Sequence, residues 1–366
     1  MAAITGFEFI VKTDHLTQTR FVTKTYADEL LPNQVLLAMD LFAFTANNIT
    51  YGIVGDQMHY WKFFPVQPGY GSIPVWGFAD VVISSHPEIK VGQRFYGFYP
   101  MSSHLLITAK VTSQGFVDIT KHRQALPPIY NFYTNTAQDP TYKPKTEKLI
   151  SLFRPLFVTS FLIDDHLAAA HFFNATQILI TGASSKTALA LACLLAHRKK
   201  ENALNITLIG LTSKKNVAFV QQLGWYDQTI SYDAMAPLPT EEKSIVIDFA
   251  GNHNTQFSLQ TLLNEKLVYN CLVGLVDWQN LEGEDPLPKK GVFFFAPAHA
   301  EKRQKAWGMS EFQKKIGMSW QRFMEAIQTI ISSKEHSGIQ GLEQLYLDTL
   351  KGEIDPKRGN IVRLNE

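Results

Sequence analysis

Gln177-Ile-Leu-Ile-Thr-Gly-Ala-Ser-Ser-Lys-Thr-Ala-Leu-Ala-Leu-Ala192 is the stretch on which the reading of this chain turns. Its apolar run, Ile178 to Ile180, has the texture of a buried parallel strand. Gly182 supplies a tight turn, and an Ala/Leu-rich helix runs from Lys186 to about His197. Strand, turn and helix N-terminus form the layout that offers free backbone N–H groups to a pyrophosphate. In G-x-x-G-x-x-G spacing the key positions are Gly182, Ser185 and Ala188, with Ser184, Lys186 and Thr187 completing the turn. Ala in the last place is small enough for helix–strand packing. Ser185 in the middle is a departure, whose side chain either pushes a pyrophosphate outward or binds it through the hydroxyl. Alone, the motif reads equally as an ordinary strand-to-helix turn. A Walker A loop is the poorer alternative, because no glycine precedes Lys186-Thr187.

The hundred or so residues C-terminal to this turn strengthen the nucleotide-binding reading. Asn205 to Leu211 is a second strand, and Lys214 to Leu223 a helix stopped by Gly224. Further strands are expected at Asp227 to Tyr232, Ser244 to Ala250 ending at Gly251, Leu267 to Leu275, and Gly291 to Pro297. Short apolar runs alternating with helices predict a doubly wound parallel sheet. The second strand ends in Thr212-Ser213-Lys214-Lys215, where an NAD-specific site would carry an acidic residue. Hydroxyls and two lysines suit a ribose 2′-phosphate instead, so the residues imply NADP(H).

The rest of the composition bounds the function. The 366 residues allow two domains, and a 45% hydrophobic content allows large cores. A formal net charge of +1 gives no electrostatic case for nucleic acid or an anionic membrane. Absence of a long apolar run and of a signal-peptide pattern gives the cytoplasm as the expected compartment. The two cysteines, Cys193 and Cys271, read as core residues. No thiol precedes Cys193, which excludes zinc held by N-terminal cysteines, and no metal site is expected.

The N-terminal portion has a different texture. Strands at 34–42, 76–84, 91–98 and 104–112, separated by Gly, Pro, Asp and Ser turns, predict an antiparallel barrel or sandwich. Residues 119–150 form a long connection with little periodicity, read either as a lid carrying Tyr130, Phe132 and Tyr133 or as a surface excursion. After residue 300 the pattern is helical to about Ser332, then a helix at Gly341–Lys351 and a strand at Arg358 to Leu364.

In this order the pieces resemble the zinc-less, quinone-oxidoreductase-like branch of the medium-chain dehydrogenase/reductase superfamily. Phe44 to Tyr51 is similar to its V-N-P-x-D-Y segment, Ile73 to Val82 to I-P-G-x-E-x-x-G-V-V, and Lys90 to Phe95 to K-V-G-D-R-V. Thr181 to Ala188 resembles T-G-A-S-G-G-V-G, Ile247 to Gly251 is similar to I-D-x-x-G, and Lys351 to Arg363 to the C-terminal ending. The departures are Asn48 for the proline, Thr50 for the aspartate, and Asp80 for the glycine before the Val-Val strand.

The resemblance implies an α/β plus β fold: a GroES-like barrel domain at 1–158, an inserted Rossmann NADP-binding domain at 159–299, and a segment at 300–366 returning to the barrel. It implies an active site in a cleft between the domains and a small-molecule substrate. It also implies a homodimer paired through the Rossmann edge strand, here Val292 to Phe295, which reads equally as a fully internal strand. Asn47 matches an asparagine near the nicotinamide ribose, and Tyr51 a tyrosine facing the substrate, able to donate a hydrogen bond to its carbonyl oxygen. Tyr51 reads equally as a barrel-core tyrosine; Tyr60 is a second candidate, from a Tyr-Trp-Lys-Phe-Phe run more often explained as packing. Thr159 matches a threonine beside the nicotinamide, and Tyr232 a tyrosine flanking the 2′-phosphate. His299 is an exposed helix-start histidine or a cleft residue. The expected activity is NADPH-dependent, metal-free reduction of a quinone, enone or similar activated double bond. The alternative is a catalytically silent NADP(H)-binding sensor or scaffold.

Overall fold

The computed structural model describes residues 4–26, 29–274 and 291–364. The chain forms two compact units, one of residues 1–154 with 331–366, the other of 155–330. In the first, β1 (Ile4–Lys12) and β2 (Thr19–Tyr26) make an antiparallel hairpin. Next come β3 (Gln34–Ala43), α1 (Ala46–Ile53), β4 (Tyr70–Gly71), β5 (Pro74–Ser84), β6 (Arg94–Pro100), β7 (His104–Thr112), β8 (Gly115–Asp118) and β9 (Phe132–Asn135). Neighbouring strands run β3-β5-β6-β9-β8-β7, and β3 also pairs with β7, which closes six strands into a barrel. Closure removes the sheet edges that an open antiparallel sheet would expose. Phe42, Phe78, Phe95, Phe98, Tyr99, Phe116 and Tyr133 fill the core with essentially no exposure.

The connection at 119–150 is not a lid. Four of its residues, Phe-Tyr-Thr-Asn, are β9, the strand that links β6 to β8. Tyr133 is fully buried and donates its hydroxyl to the Phe98 carbonyl at 2.8 Å. A fully buried Arg123 fixes the segment before it. Its Nε donates to Asn131 Oδ1 at 2.9 Å, its terminal nitrogen donates to the Tyr130 carbonyl at 2.7 Å, and Asp118 is 3.6 Å away. A buried charge with this many partners locks a loop in place.

α2 (Glu147–Ala169) carries the chain from the first unit to the second, with Pro155 inside it at the division. The second unit continues with β10 (Gln177–Ile180), α3 (Lys186–Glu201), β11 (Thr207–Thr212), α4 (Val217–Gln222), β12 (Gln228–Ser231), β13 (Ser244–Asp248), α5 (His253–Leu263), β14 (Leu267–Leu272), β15 (Val292–Phe293), α6 (Ala296–Trp307) and α7 (Met309–Ile327). The six strands are all parallel, in the order β12-β11-β10-β13-β14-β15. β10 and β13 are buried along their whole length, as central strands covered on both faces must be. Among the described residues β15 is the last strand at its edge, and Val292 there is 52% exposed. The strand is shorter than expected: Phe294 N–H makes the last bond to β14, on the Leu272 carbonyl at 2.9 Å, and its buried ring stacks on His299 at 4.0 Å. Gly274 ends the described part of the run before it; Leu275 lies outside the described residues.

The return to the first unit starts later than residue 300. α6 and α7 stay with the parallel sheet; Trp320 and Phe323 of α7 pack on Phe157 of α2, each at 5.2 Å. The returning segment begins at Ile331 and contains β16 (Ser332–Ser337), α8 (Gly338–Leu350) and β17 (Arg358–Arg363). β17 pairs antiparallel with β3, and β16 parallel with β17. β16, with the sequence SSKEHS, has no apolar pattern and was invisible to periodicity.

Candidate functional site

The parallel sheet reverses its strand order between β10 and β13, and ligands of such sheets lie beyond the C-terminal ends of the strands at that point. Eleven of the residues singled out from the sequence gather there: Gly182, Ser184, Ser185, Lys186, Thr187, Thr212, Ser213, Lys214, Lys215, Tyr232 and Gly251. Gly182 has φ +59°, a left-handed conformation that a β-carbon makes costly. Thr181 and Asp248 tie β10 to β13 by a short side-chain hydrogen bond, and Asp248 accepts the N–H groups of Ala250 and Gly251 at 3.1 and 3.2 Å. Burial pushes the Asp248 carboxyl up, against the pull of these donors.

Several hydroxyls are placed differently from expectation. Ser185 neither obstructs nor extends the turn: it is the N-cap of α3, its Oγ accepting the Ala188 N–H at 3.3 Å. Tyr232 turns its hydroxyl onto the Gly182 N–H at 2.6 Å, and burial raises its phenol to about 12. Ser184 Oγ lies 3.2 Å from Thr212 Oγ1 and accepts Asn216 Nδ2 at 3.1 Å, which anchors the turn to the end of β11. Thr212 is therefore buried inside this anchor, 1% exposed, while Lys214 and Lys215 are exposed. Thr159 sits on α2, its hydroxyl 3.5 Å from the Pro155 carbonyl. Its neighbour Ser160 is buried with Oγ 2.8 Å from the Thr187 carbonyl, binding α2 to the first turn of α3. Ser160 and Asn216 carry no motif signal, and sequence reasoning missed both.

Two buried hydroxyls in this region have no hydrogen-bond partner: Ser213 Oγ and Tyr226 Oη. Tyr226 reaches along the sheet over Gly210, where a β-carbon would come within 3.0 Å of its ring. Its phenol is raised by burial and by the neighbouring Tyr232. The orphaned Ser213 hydroxyl next to the exposed Lys214 and Lys215, at the end of β11 beside the turn into α3, fits a phosphorylated ribose and a pyrophosphate. A separate pocket of about 380 Å³, lined by Lys199, Lys200, Trp225 and Asp227 among others, opens at the other end of the strands, by the starts of β11 and β12.

The remaining three candidates belong to the first unit. Asn47 and Tyr51 are one turn apart on α1, and the Asn47 amide bears on the Tyr51 hydroxyl. Asn48, the departure from the family proline, holds the helix: its Oδ1 accepts the Thr45 N–H at 2.8 Å and its Nδ2 donates to the Pro74 carbonyl at 2.9 Å. Asp80, the other departure, pairs with Arg94 at 2.7 Å, and Arg94 also holds Asp40 and Glu147. Tyr51 and Tyr60 are each 8% exposed, with ring centroids 4.4 Å apart, and Tyr60 Oη lies 3.2 Å from Tyr130 Oη. Burial raises all three phenols, so they stay protonated at neutral pH and act as hydrogen-bond donors, not bases.

A family profile described as "Protein of unknown function (DUF2855)" matches residues 42–355. The chain belongs to that family. No curated protein matches it. Its fold is that of the medium-chain dehydrogenases/reductases. CurA from Vibrio vulnificus, in complex with NADPH, aligns with TM-score 0.60 at 10% identity over 98% of this chain and 99% of its own. A mitochondrial 2-enoyl thioester reductase heterodimer from Candida tropicalis gives 0.58 at 14%, covering 98% and 100%. The quinone oxidoreductase from Coxiella burnetii gives 0.53 at 13%, covering 99% and 100%. At these identities the likeness is one of fold. Among the described residues no group of three or more His, Cys, Asp or Glu is arranged to hold a metal, and no helix is long and apolar enough to cross a membrane.

Proposed function

We propose that this protein is an NADP(H)-dependent oxidoreductase that needs no metal and reduces a quinone, an enone or a similar activated double bond. The observation that carries the reading is the strand-order reversal at the Gly182 turn, with the orphaned Ser213 hydroxyl and the exposed Lys214 and Lys215 beside it. The full-length likeness to CurA in complex with NADPH, to a quinone oxidoreductase and to a 2-enoyl thioester reductase supports it. Bound there, the reduced dinucleotide supplies a hydride. The protein's part is to hold and orient. The first-turn N–H groups of α3 receive the pyrophosphate, and Ser213, Lys214 and Lys215 receive the 2′-phosphate through charge-assisted hydrogen bonds. In the first unit, Tyr51 donates to the acceptor oxygen, and Asn47 and Tyr60 fix its orientation.

NADPH oxidation measured against a panel of quinones and enones tests the reading; steady turnover on at least one acceptor is expected. The second reading, a silent NADP(H)-binding protein, is favoured by three backbone donors already spent within the fold. Tyr232, Ser185 and Asp248 occupy the N–H groups of Gly182, Ala188 and Gly251. Tight NADPH binding with no oxidation by any acceptor would select it.

A further inference from the structure

The pocket of about 380 Å³ lies between the end of α3 and the turn that follows α4, over the starts of β11 and β12. Both turns pass through left-handed backbone, Ala203 with φ +49° and Gly224 with φ +68°. Glycine is the usual residue where a helix stops in this way. At 203 the chain keeps a methyl group, which with Ala196 and Leu204 gives the pocket an apolar side. Trp225 and Tyr226, both half-buried, add aromatic surface. Tyr226 offers its ring, because its hydroxyl is fully buried. Volume and lining fall within the ordinary range of small-molecule sites, about 300–1,000 Å³ and largely apolar or aromatic.

The charges around the pocket are spent, with one exception. Lys199 Nζ donates to both Asp227 oxygens at 2.7 Å, and Asp227 also accepts the Leu208 N–H at 2.7 Å. Glu201 is held by His197 at 3.0 Å and Arg322 at 3.2 Å, and Arg198 by Asp164 at 2.7 and 2.6 Å. Two of the last carbonyls of α3, which would repel an anion, are also occupied. The Asn202 N–H lies on that of Arg198 and the Leu204 N–H on that of Lys199, each at 3.0 Å. Among the described residues, Lys200 Nζ and the Trp225 indole N–H have no partner, and both groups can only donate. We infer that the pocket binds a small planar aromatic carboxylate, with its ring on Trp225 and its carboxylate on Lys200. A neutral ring would leave the ammonium unanswered, and a cation would meet Lys199 and Lys200 at close range. The site is separate from the Gly182 turn, which stands at the opposite ends of these strands.

2-Naphthoate is the probe and 2-naphthamide its neutral counterpart. Both are titrated into the full-length protein, labelled with ¹⁵N at its six tryptophan indoles, without dinucleotide and again with NADPH in excess. The cross-peak that Trp225→Phe removes moves on adding 2-naphthoate in both conditions. Lys200→Gln weakens 2-naphthoate about fivefold, the upper range of a solvent-exposed ion pair, and leaves 2-naphthamide within about twofold. Lys200 is exposed and unpaired, so this variant keeps the fold and decides alone should Trp225→Phe not fold. A Trp225 peak that stays in place, or one whose shift NADPH abolishes, overturns the proposal. Equal affinity of wild type and Lys200→Gln for 2-naphthoate overturns it as well. The titration without dinucleotide is complete in itself, so failure of NADPH to bind would remove the reductase reading and leave this site standing.

Discussion

Lys214 and Lys215 are where the cofactor assignment is most exposed to test. They stand at the end of β11, next to the orphaned Ser213 hydroxyl, and are themselves exposed. Charge-assisted hydrogen bonds to a 2′-phosphate contribute about 1.5–3 kcal/mol, tenfold or more in affinity. Replacing both with Ala should weaken NADPH by that factor and leave NADH within about twofold, by fluorescence titration. Equal loss for both nucleotides would place the phosphate elsewhere. These lysines were legible in the sequence, because an acidic residue is expected there and is missing. Ser160, Asn216 and Arg123 were not. Ser160 and Asn216 act through partners far along the chain, Thr187 and Ser184, while Arg123 reaches Asp118 and Asn131 across nearby irregular backbone, and no periodicity announces either kind of pairing.

At the level of elements, α3 shows how a departure from a motif is absorbed. A glycine in the middle position would leave the first turn of the helix uncapped; Ser185 caps it. Ser185→Ala should lower stability by about 1 kcal/mol, while Ser185→Gly costs only a few tenths. Urea denaturation monitored by circular dichroism distinguishes them, and equal losses would show that the cap is not made in solution. The helices and strands of the parallel sheet were legible because each is a continuous apolar run or an Ala/Leu stretch. β9 was not: four residues among prolines and 3₁₀ turns, held by barrel closure and by the buried Arg123, give no periodicity of their own. β16 is the same case, a polar strand that exists only because β17 pairs beside it.

For the whole molecule, four histidines set a common pH response. His104, His166, His299 and His336 all lie below the ordinary histidine value. Burial is the main cause, and Lys302 and Arg303 add to it for His166 and His299. A group whose folded pKa is depressed contributes stability that is present above its unfolded value, about 6.5, and is lost as pH falls through the folded one. The midpoint of thermal unfolding should therefore be level above about pH 7 and fall as pH drops below the unfolded value, about 6.5. His299→Phe, which keeps a ring against Phe294, should flatten part of that fall. Asp164 and Asp248, raised by burial, act in the opposite sense as their carboxyls ionise. A midpoint unchanged on acidification below about pH 6.5 would show that these half-buried histidines are not depressed in the folded state.

Isothermal titration of the folded, full-length protein with NADPH and with NADH tests the central claim most directly. The account predicts one NADPH bound per chain, at least tenfold tighter than NADH. Absence of binding heat with NADPH and with NADP⁺ alike, in protein that circular dichroism shows to be folded, would contradict it and leave only the architecture.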